Sequence, residues 1–348
     1  KLANELTGPI RGGLAMTTSL ACAFFAALSG SAPGTVAAIG SIMYPELTKQ
    51  GYDEEVSAGL IAVSGGLGPI IPPSILMITF GVVTETSIGA LFMGGVIPGV
   101  VILLLLLLAS YVVARKRGYR GGVRNWSLKR ICRSFASALP ALGMPLLILG
   151  GIYGGFFTPT EAAAVAVVYG LLVGFFVYRE LHFREIMPLF VKSAVSAGVV
   201  LFIISTSSAF SWLFAWSGMS GRMVASVTHI LPGPVGFVLV SLIVMLVFGT
   251  FMEGNAILIL LMPFLFPVAK AFGIDPTYYG VVSTVAMVVG LVTPPVAVNI
   301  YTTAGITGLS MERIVRGMWP FFAAMATGLI VTAAVPGLST WLPKLMLR

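Results

Sequence analysis

Slid against itself by 222 residues, the chain matches without a gap at residues that fix backbone shape. Pro45 falls on Pro267, Gly51 on Gly273, Asp53 on Asp275, Gly68 on Gly290 and Gly95 on Gly317. Pro72–Pro73 falls on Pro294–Pro295, and Pro98 on Pro320. Glycine widens and proline narrows the allowed dihedrals, so agreement at these residue types means that the two segments share a fold. The loops "KQGYDEEV" and "KAFGIDPTY" match as well. The chain is two copies of one unit.

Both copies are built for a bilayer. Hydrophobic residues make up 57% of the chain and charged residues only 9%, with mean hydropathy +1.01, where soluble domains carry about 25% charged residues. The apolar runs are continuous and do not alternate, which excludes a membrane β-barrel. The expected class is an all-α polytopic membrane protein. The formal charge of +8 does not mark a nucleic-acid binder, because eight of the 20 Lys and Arg residues lie in one stretch, 115–133. Arg179 and Arg184 flank His182, two spans further on. Both clusters therefore lie on one side, and the excess of positive charge makes that side cytoplasmic. Cys22 and Cys132 suggest neither a disulfide nor a metal site. His182 and His229 are too far apart in sequence for a histidine-based one.

Walking the chain from that basic loop (114–133) orients the copies. Scaffold spans follow over 134–208: outward through about 134–155, a turn at "GGFFTPTE", back through 161–178, and out again through 186–208. Backwards, the span 89–113 runs from outside to inside. The broken segment 54–81 then starts inside, and the loop 48–53 is cytoplasmic, whereas its counterpart 270–275 is external. Repeats of opposite orientation, with a site near the midplane at broken helices, are the plan of secondary transporters. The first repeat (1–113) holds a hairpin 14–47, a broken helix 54–81 and the span 89–113. The second (134–342) holds the scaffold spans, an interfacial arm 208–232, a hairpin 236–269, a broken helix 276–305 and a span 317–340. The arm is expected from "SAFSWLFAWSGMSGRMV", with two Trp and one Arg. By the same offset, a complete first repeat would begin about ninety residues ahead of Lys1, so the first copy reads as incomplete.

The breaks carry the chemistry. The arms 14–28 and 35–47, like 236–250 and 256–269, are shorter than the roughly 20 residues of a span. They read as two re-entrant hairpins with tips at Ser29–Gly34 and at "FMEGNA" (251–256). After each hairpin comes a helix interrupted at "GLGPIIPPS" (66–74) or "GLVTPPVAVN" (290–299). Paired prolines remove two donors and free the carbonyls before them. Those carbonyls, with Ser and Thr hydroxyls, are hard oxygen ligands of the kind Na⁺ requires. Helices restarting at Pro33, Pro73, Asn255 and Pro295 aim positive dipole ends inward, where an anion would sit. Unpaired backbone in hydrocarbon costs several kcal/mol per group, so such breaks persist where they line a site. Glu253 is the one acidic residue at mid-depth. It could ligate Na⁺, carry a proton, accept a hydrogen bond from substrate, or cap the helix that follows. "TPTE" (158–161), by contrast, is a capping box.

Five stretches, "SGSAPGTVAAIGSIMYPEL", "GPIIPPS", "FTPTEAAAVAVVYG", "FMEGNAILILLMPFLFPVAKAFGIDP" and "GLVTPPVAVNIY", together resemble the large, DctM-like membrane subunit of tripartite ATP-independent periplasmic (TRAP) transporters. The resemblance covers essentially the whole chain. It implies the ion-transporter-superfamily elevator fold, Na⁺-driven uptake through the bacterial inner membrane, and two or more bound Na⁺ as the only metal. It also implies a small four-helix membrane partner and a periplasmic substrate-binding protein that delivers a carboxylate, such as a C4-dicarboxylate or sialic acid. Carried over by position, one Na⁺ site involves Ser29, Gly30, Ser31, Gly68 and Pro72. A second involves Glu253, Gly254, Asn255, Thr293 and Pro294. Substrate contacts fall on Ser31, Pro33, Gly34, Pro73, Ser74, Asn255, Pro295 and Asn299. The family often has Asp where this chain has Glu253.

Other classes fit less well. A channel needs a continuous polar pore, which the apolar helices do not supply, and an enzyme needs a nucleophile–base pair or metal ligands at depth. ATP-driven pumping would need a Walker-type loop, which is absent. A Na⁺/dicarboxylate symporter of the same superfamily that works without a binding protein is the nearest alternative.

Overall fold

The computed structural model describes residues 2–7, 10–119, 127–231 and 233–346. Residues 120–126 of the basic loop and Pro232 of the expected arm lie outside the described residues. Among those described, all regular structure is helical. In chain order the helices are α1 Leu2–Thr7, α2 Gly13–Ser29, α3 Ala32–Lys49, α4 Glu54–Ser64, α5 Ile75–Thr84 and α6 Ile88–Arg117. They continue with α7 Leu128–Tyr153, α8 Pro159–Leu172, α9 Phe183–Trp216, α10 Met219–Ile230, α11 Gly233–Gly249 and α12 Gly254–Ala271. The last four are α13 Pro276–Leu291, α14 Val298–Thr307, α15 Met311–Ala334 and α16 Gly337–Met346. Among the described residues, six helices are long and apolar enough to cross a membrane: α6, α7, α8 with its π-helical extension to Tyr178, α9, α12 and α15. The chain is therefore a multi-pass membrane protein.

Several boundaries differ from the sequence reading, each for a local reason. The hairpin arms α2, α3, α11 and α12 are 17, 18, 17 and 18 residues long, not 13 to 15. At 1.5 Å per residue that is roughly 26 Å, so length alone does not separate re-entrant arms from spans. The basic loop is shorter than 114–133. Helix α6 continues to Arg117, where a left-handed Gly118 (φ 73°) ends it, and Arg115, Lys116 and Arg117 complement its C-terminal dipole. The outward span does not stop at 208. Ser211 donates to the carbonyl of Ser207 at 2.8 Å, and such back-bonding hides serine hydroxyls within a helix, so α9 runs to Trp216 and only α10 remains of the arm. The final span ends at Ala334, ahead of Pro336, and α16 follows. The expected capping box is present: Thr158 accepts from the Glu161 amide, and Glu161 accepts from the Thr158 amide at 2.8 Å.

Contacts at the helix ends fix how the two copies lie. Asp53, just ahead of α4, pairs with Arg117 at the end of α6 and accepts from the Tyr119 hydroxyl at 2.7 Å. Arg313, at the start of α15, reaches Glu54 and Glu55 at 3.2 and 2.9 Å. At the other end, the Tyr278 hydroxyl of α13 donates to the carbonyl of Ala333 at 2.6 Å. A Cβ on Gly94, early in α6, would lie 2.9 Å from Thr277. Helices α4 and α13 therefore start at opposite ends of the α6–α15 pair. Where α4 crosses α15, a Cβ on Gly59 would stand 2.5 Å from the Met318 amide, and one on Gly317 would strike the Glu55 carbonyl. Only glycine lets two backbones approach this closely. The buried core follows from this crossing and includes Leu60, Ile61, Phe80, Phe92, Tyr279 and Phe321. Helix α9, by contrast, buries no residue of its apolar span.

Candidate functional site

At the first tip, Gly30 ends α2 in the left-handed conformation (φ 61°). A side chain there would meet the Pro73 carbonyl at 3.0 Å, so glycine is required both for the turn and for the approach to the break. Ser31 begins α3 as its N-cap and accepts from the Gly34 amide at 3.4 Å. Ser29 Oγ lies 3.0 Å from Thr35 Oγ1, and both hydroxyls donate to the Ser31 carbonyl, at 3.1 and 2.8 Å. A Cβ on Gly68 would strike that carbonyl and stand 2.9 Å from Thr35 Oγ1. Two of these oxygens, the Ser31 carbonyl and Thr35 Oγ1, thus pack against Gly68, where any side chain would collide with them. Pro33 and Gly34, facing outward from the tip, are half-buried and exposed, respectively.

The first break unwinds α4 through a single 3₁₀ turn, Gly65–Leu67. Helix restart comes two residues after the position expected. Not Pro73 but Ser74 opens α5, because its hydroxyl accepts from the Met77 amide at 3.2 Å. Ser74 is 0% exposed, and Pro72 is buried behind it. The Ile75 amide reaches the Gly30 carbonyl at 3.4 Å. Break and tip are therefore joined through backbone.

At the second tip, Glu253 is the N-cap of α12. Its carboxylate accepts from the amides of Asn255 and Ala256 at 2.9 and 3.3 Å, and from Asn255 Nδ2 at 2.8 Å. Helix α12 starts at Gly254, one residue before the expected Asn255, because a carboxylate in the cap position satisfies those first amides. Gly254 faces the Leu76 side chain of α5. Asn255 Oδ1 accepts from Thr79 Oγ1 at 2.9 Å, a bond that links this tip to the restarted helix of the other copy.

The second break lies over 292–297. Thr250, at the tip, accepts from the Ala297 amide at 2.8 Å, and Gly249 and Gly290 meet backbone to backbone. Helix α14 restarts at Val298, not at Pro295. Its cap is Ala297, at φ 50° and with no side chain that can bond the first-turn amides. Thr293 Oγ1 is committed to the Val289 carbonyl at 2.6 Å, and no hydrogen bond joins it to Glu253 among the described residues. Pro294 is half-buried and Pro295 exposed. Asn299 is 0% exposed, donates to the Ala62 carbonyl of α4 at 3.1 Å, and leaves Oδ1 buried without a donor.

The structure thus gathers Ser29, Gly30, Ser31, Gly68 and Pro73 at one point, and Glu253, Gly254 and Asn255 at another. Among the described residues no hydrogen bond joins Thr293 to that second group, while the Ala297 amide ties its break to the tip at Thr250. Sequence reading passed over Thr35 and Thr79. Thr35 had a signal, a hydroxyl one helical turn after Ser31, whereas Thr79 had none, because its partner lies 176 residues away. Among the described residues no group of three or more His, Cys, Asp or Glu side chains could hold a metal ion, so a cation here would have to be bound by hydroxyls, carbonyls and a lone carboxylate.

Comparison with known proteins adds the family. Residues 1–338 match the model of "Tripartite ATP-independent periplasmic transporter, DctM component". The C4-dicarboxylate TRAP transporter large permease protein DctM of Pseudomonas aeruginosa is 41% identical over 342 residues, 98% of this chain and 80% of that protein. The isethionate TRAP transporter permease protein DctMQ of Oleidesulfovibrio alaskensis is 38% identical over 337 residues, 97% of this chain, which spans 53% of that protein's length. The sialic acid large permease protein SiaM of Vibrio cholerae is 33% identical over 345 residues, 99% of this chain and 81% of that protein.

Proposed function

Because the chain belongs to the DctM family of TRAP transporters, multi-pass transporter components of the bacterial inner membrane and not enzymes, we propose that it carries an organic acid anion inward, driven by Na⁺. Relatives named for C4-dicarboxylate, sialic acid, isethionate and ectoine support this substrate class. A periplasmic binding protein delivers the substrate, and a small four-helix membrane subunit completes the permease. The carrying observation is that each hairpin tip is hydrogen-bonded to its own proline break, while Thr79–Asn255 and Asn299–Ala62 tie the copies to each other. Opposite starting ends of α4 and α13 support two inverted repeats with re-entrant hairpins, the arrangement that permits alternating, elevator-type access.

The donor chemistry at the first tip suits Na⁺. Ser29 Oγ, the Ser31 carbonyl and Thr35 Oγ1 are hard oxygens, and the lack of a side chain at Gly68 leaves the last two unobstructed. Glu253 offers a carboxylate at the second tip, with about one lone pair beyond its three hydrogen bonds. The buried Oδ1 of Asn299 is a further acceptor that a cation would satisfy. The anion belongs at helix starts. Three of the four helices at the breaks carry a side-chain cap, and α14 does not, so its first amides are the ones a substrate carboxylate can take. Each net positive charge moved inward down 100 mV supplies about 2.3 kcal/mol, so two Na⁺ against one carboxylate drive accumulation.

The test is uptake of labelled C4-dicarboxylate and labelled sialic acid into proteoliposomes holding the complete permease, with binding protein outside and an inward Na⁺ gradient. Uptake requires both Na⁺ and binding protein and collapses in Ser31→Ala and Glu253→Gln. Uptake that ignores Na⁺, or full activity in both variants, refutes the coupling.

A further inference from the structure

Where α4, α6 and α15 meet, at the end of α6 that leads into the basic loop, they leave a cavity of about 220 Å³. Val56 of α4 and Gly317 and Pro320 of α15 line it, together with three cations, Lys116, Arg117 and Arg316. Comparing the two copies separates architecture from charge. By the 222-residue offset, Gly317 and Pro320 answer to Gly95 and Pro98 in the other copy. Lys116, Arg117 and Arg316 answer to Leu338, Ser339 and Gly94, none of them charged. The same backbone markers occur twice, and the cations once. Arg117 is committed to Asp53, and Arg313 takes up Glu54 and Glu55. Lys116 and Arg316 make no ion pair among the described residues. Topology accounts for an excess of cations at this end, but not for their convergence on one cavity.

The surroundings identify the anion that such a cavity takes. On α6, Val112, Leu108 and Leu104 precede Lys116 by one, two and three turns on the same face, and all three are exposed. On α15, Trp319 follows Arg316 by one turn and is 54% exposed, and tryptophan concentrates at the level of lipid headgroups. The cations therefore stand at headgroup level, with an apolar helix face leading away from them toward the hydrocarbon. Basic pockets between spanning helices on the cytoplasmic side suit acidic headgroups. We propose that Lys116, Arg117 and Arg316 bind the phosphate of one anionic phospholipid of the cytoplasmic leaflet, its acyl chains lying along Val112, Leu108 and Leu104. A free phosphate would satisfy the cations and leave that stripe bare, whereas a lipid covers both. The bound headgroup bridges the last turn of α6 and the first turns of α15, and so holds both against α4.

The experiment places the complete permease in nanodiscs of equal phosphatidylglycerol and phosphatidylcholine and reads retained lipid by native mass spectrometry. Wild type keeps phosphatidylglycerol in preference to phosphatidylcholine. Lys116→Gln and Arg316→Gln each lower that preference about fivefold, the worth of one cation near an anionic headgroup, whereas Lys116→Arg and Arg316→Lys keep most of it. Arg313→Gln removes a cation from the same end but not from the cavity, and leaves the preference near that of wild type. All three side chains are exposed, so their replacement leaves the fold intact. The proposal is overturned if wild type retains both lipids equally, if Lys116→Gln and Arg316→Gln keep the wild-type preference, or if Arg313→Gln loses as much as they do. In detergent, inorganic phosphate that raises the unfolding midpoint as much as phosphatidylglycerol does would assign the site to a free anion and overturn the lipid. A photo-crosslinker at position 112 that captures a protein chain would overturn it as well.

Discussion

Gly68→Ala isolates the first tip. The backbone at Gly68 is right-handed helical (φ −48°), so alanine adds no dihedral strain, and the whole effect comes from one methyl group. That methyl would strike the Ser31 carbonyl and stand 2.9 Å from Thr35 Oγ1, where ordinary contacts lie near 3.5 Å. Tip and break must therefore part by about an ångström, and added methylenes in a packed site cost roughly 1–3 kcal/mol. If that strain falls on the ion-bound state, half-saturating Na⁺ for uptake rises about five- to hundredfold, since 1.4 kcal/mol is tenfold. The control is Gly150→Ala, a helical glycine with nothing within 4 Å of its new Cβ. Transport by Gly68→Ala with half-saturating Na⁺ within about twofold of wild type would refute the claim that the Ser29–Ser31–Thr35 oxygens hold an ion against Gly68.

Further outcomes follow from single contacts. Thr79→Val and Asn255→Ala each lower thermal stability by about 1 kcal/mol, and a double-mutant cycle in thermal unfolding shows coupling between them of similar size; additivity would mean that the bond does not join the copies. Thr158→Ala removes a cap and costs about 1 kcal/mol, measurable in the same assay. Arg313→Ala, which breaks two exposed pairs, leaves the thermal unfolding midpoint close to that of wild type. The Asp53–Tyr119 contact sets a pH dependence. The Tyr119 hydroxyl, then the Arg117 guanidinium, hold the Asp53 carboxyl below its ordinary range. Burial, then the Asp53 carboxylate, push Tyr119 up to about 12. The lowered Asp53 contributes stability above the ordinary carboxylate value of about 3.9, lost as pH falls through its folded value. The raised Tyr119 contributes below about pH 10, lost as pH rises through its folded value. The stability difference between wild type and Tyr119→Phe is therefore flat between about pH 5 and 9 and shrinks on the alkaline side.

Much of this was legible in the chain because glycine and proline write backbone shape directly. Pro72–Pro73 and Pro294–Pro295 located both breaks, and Thr158 with Glu161 located a helix start. Restart points were less legible, because proline removes donors but does not supply a cap. The cap is Ser74 in one copy and an unassisted Ala297 in the other. Helix α9 outran the expected span because serines that look like punctuation bond back into the helix. Pairings between the copies were invisible: nothing in the sequence shows that Asn299 meets Ala62 or that Thr79 meets Asn255. The sequence leaves Glu253 open between capping and ligand roles, and the structure places it as a cap with about one lone pair beyond its three hydrogen bonds.

The central claim is that the two tips serve one path from opposite faces of the membrane. Single cysteines at Ser31 and Asn255 test it most directly, in a background where the exposed Cys132 is replaced by serine and the buried Cys22 is left in place. Membrane-impermeant maleimide is applied to inside-out and right-side-out vesicles, with and without Na⁺. The account predicts that Ser31→Cys is labelled from the cytoplasmic side, Asn255→Cys from the periplasmic side, and that Na⁺ slows both. Labelling of both positions from the same side, at rates indifferent to Na⁺, would contradict it.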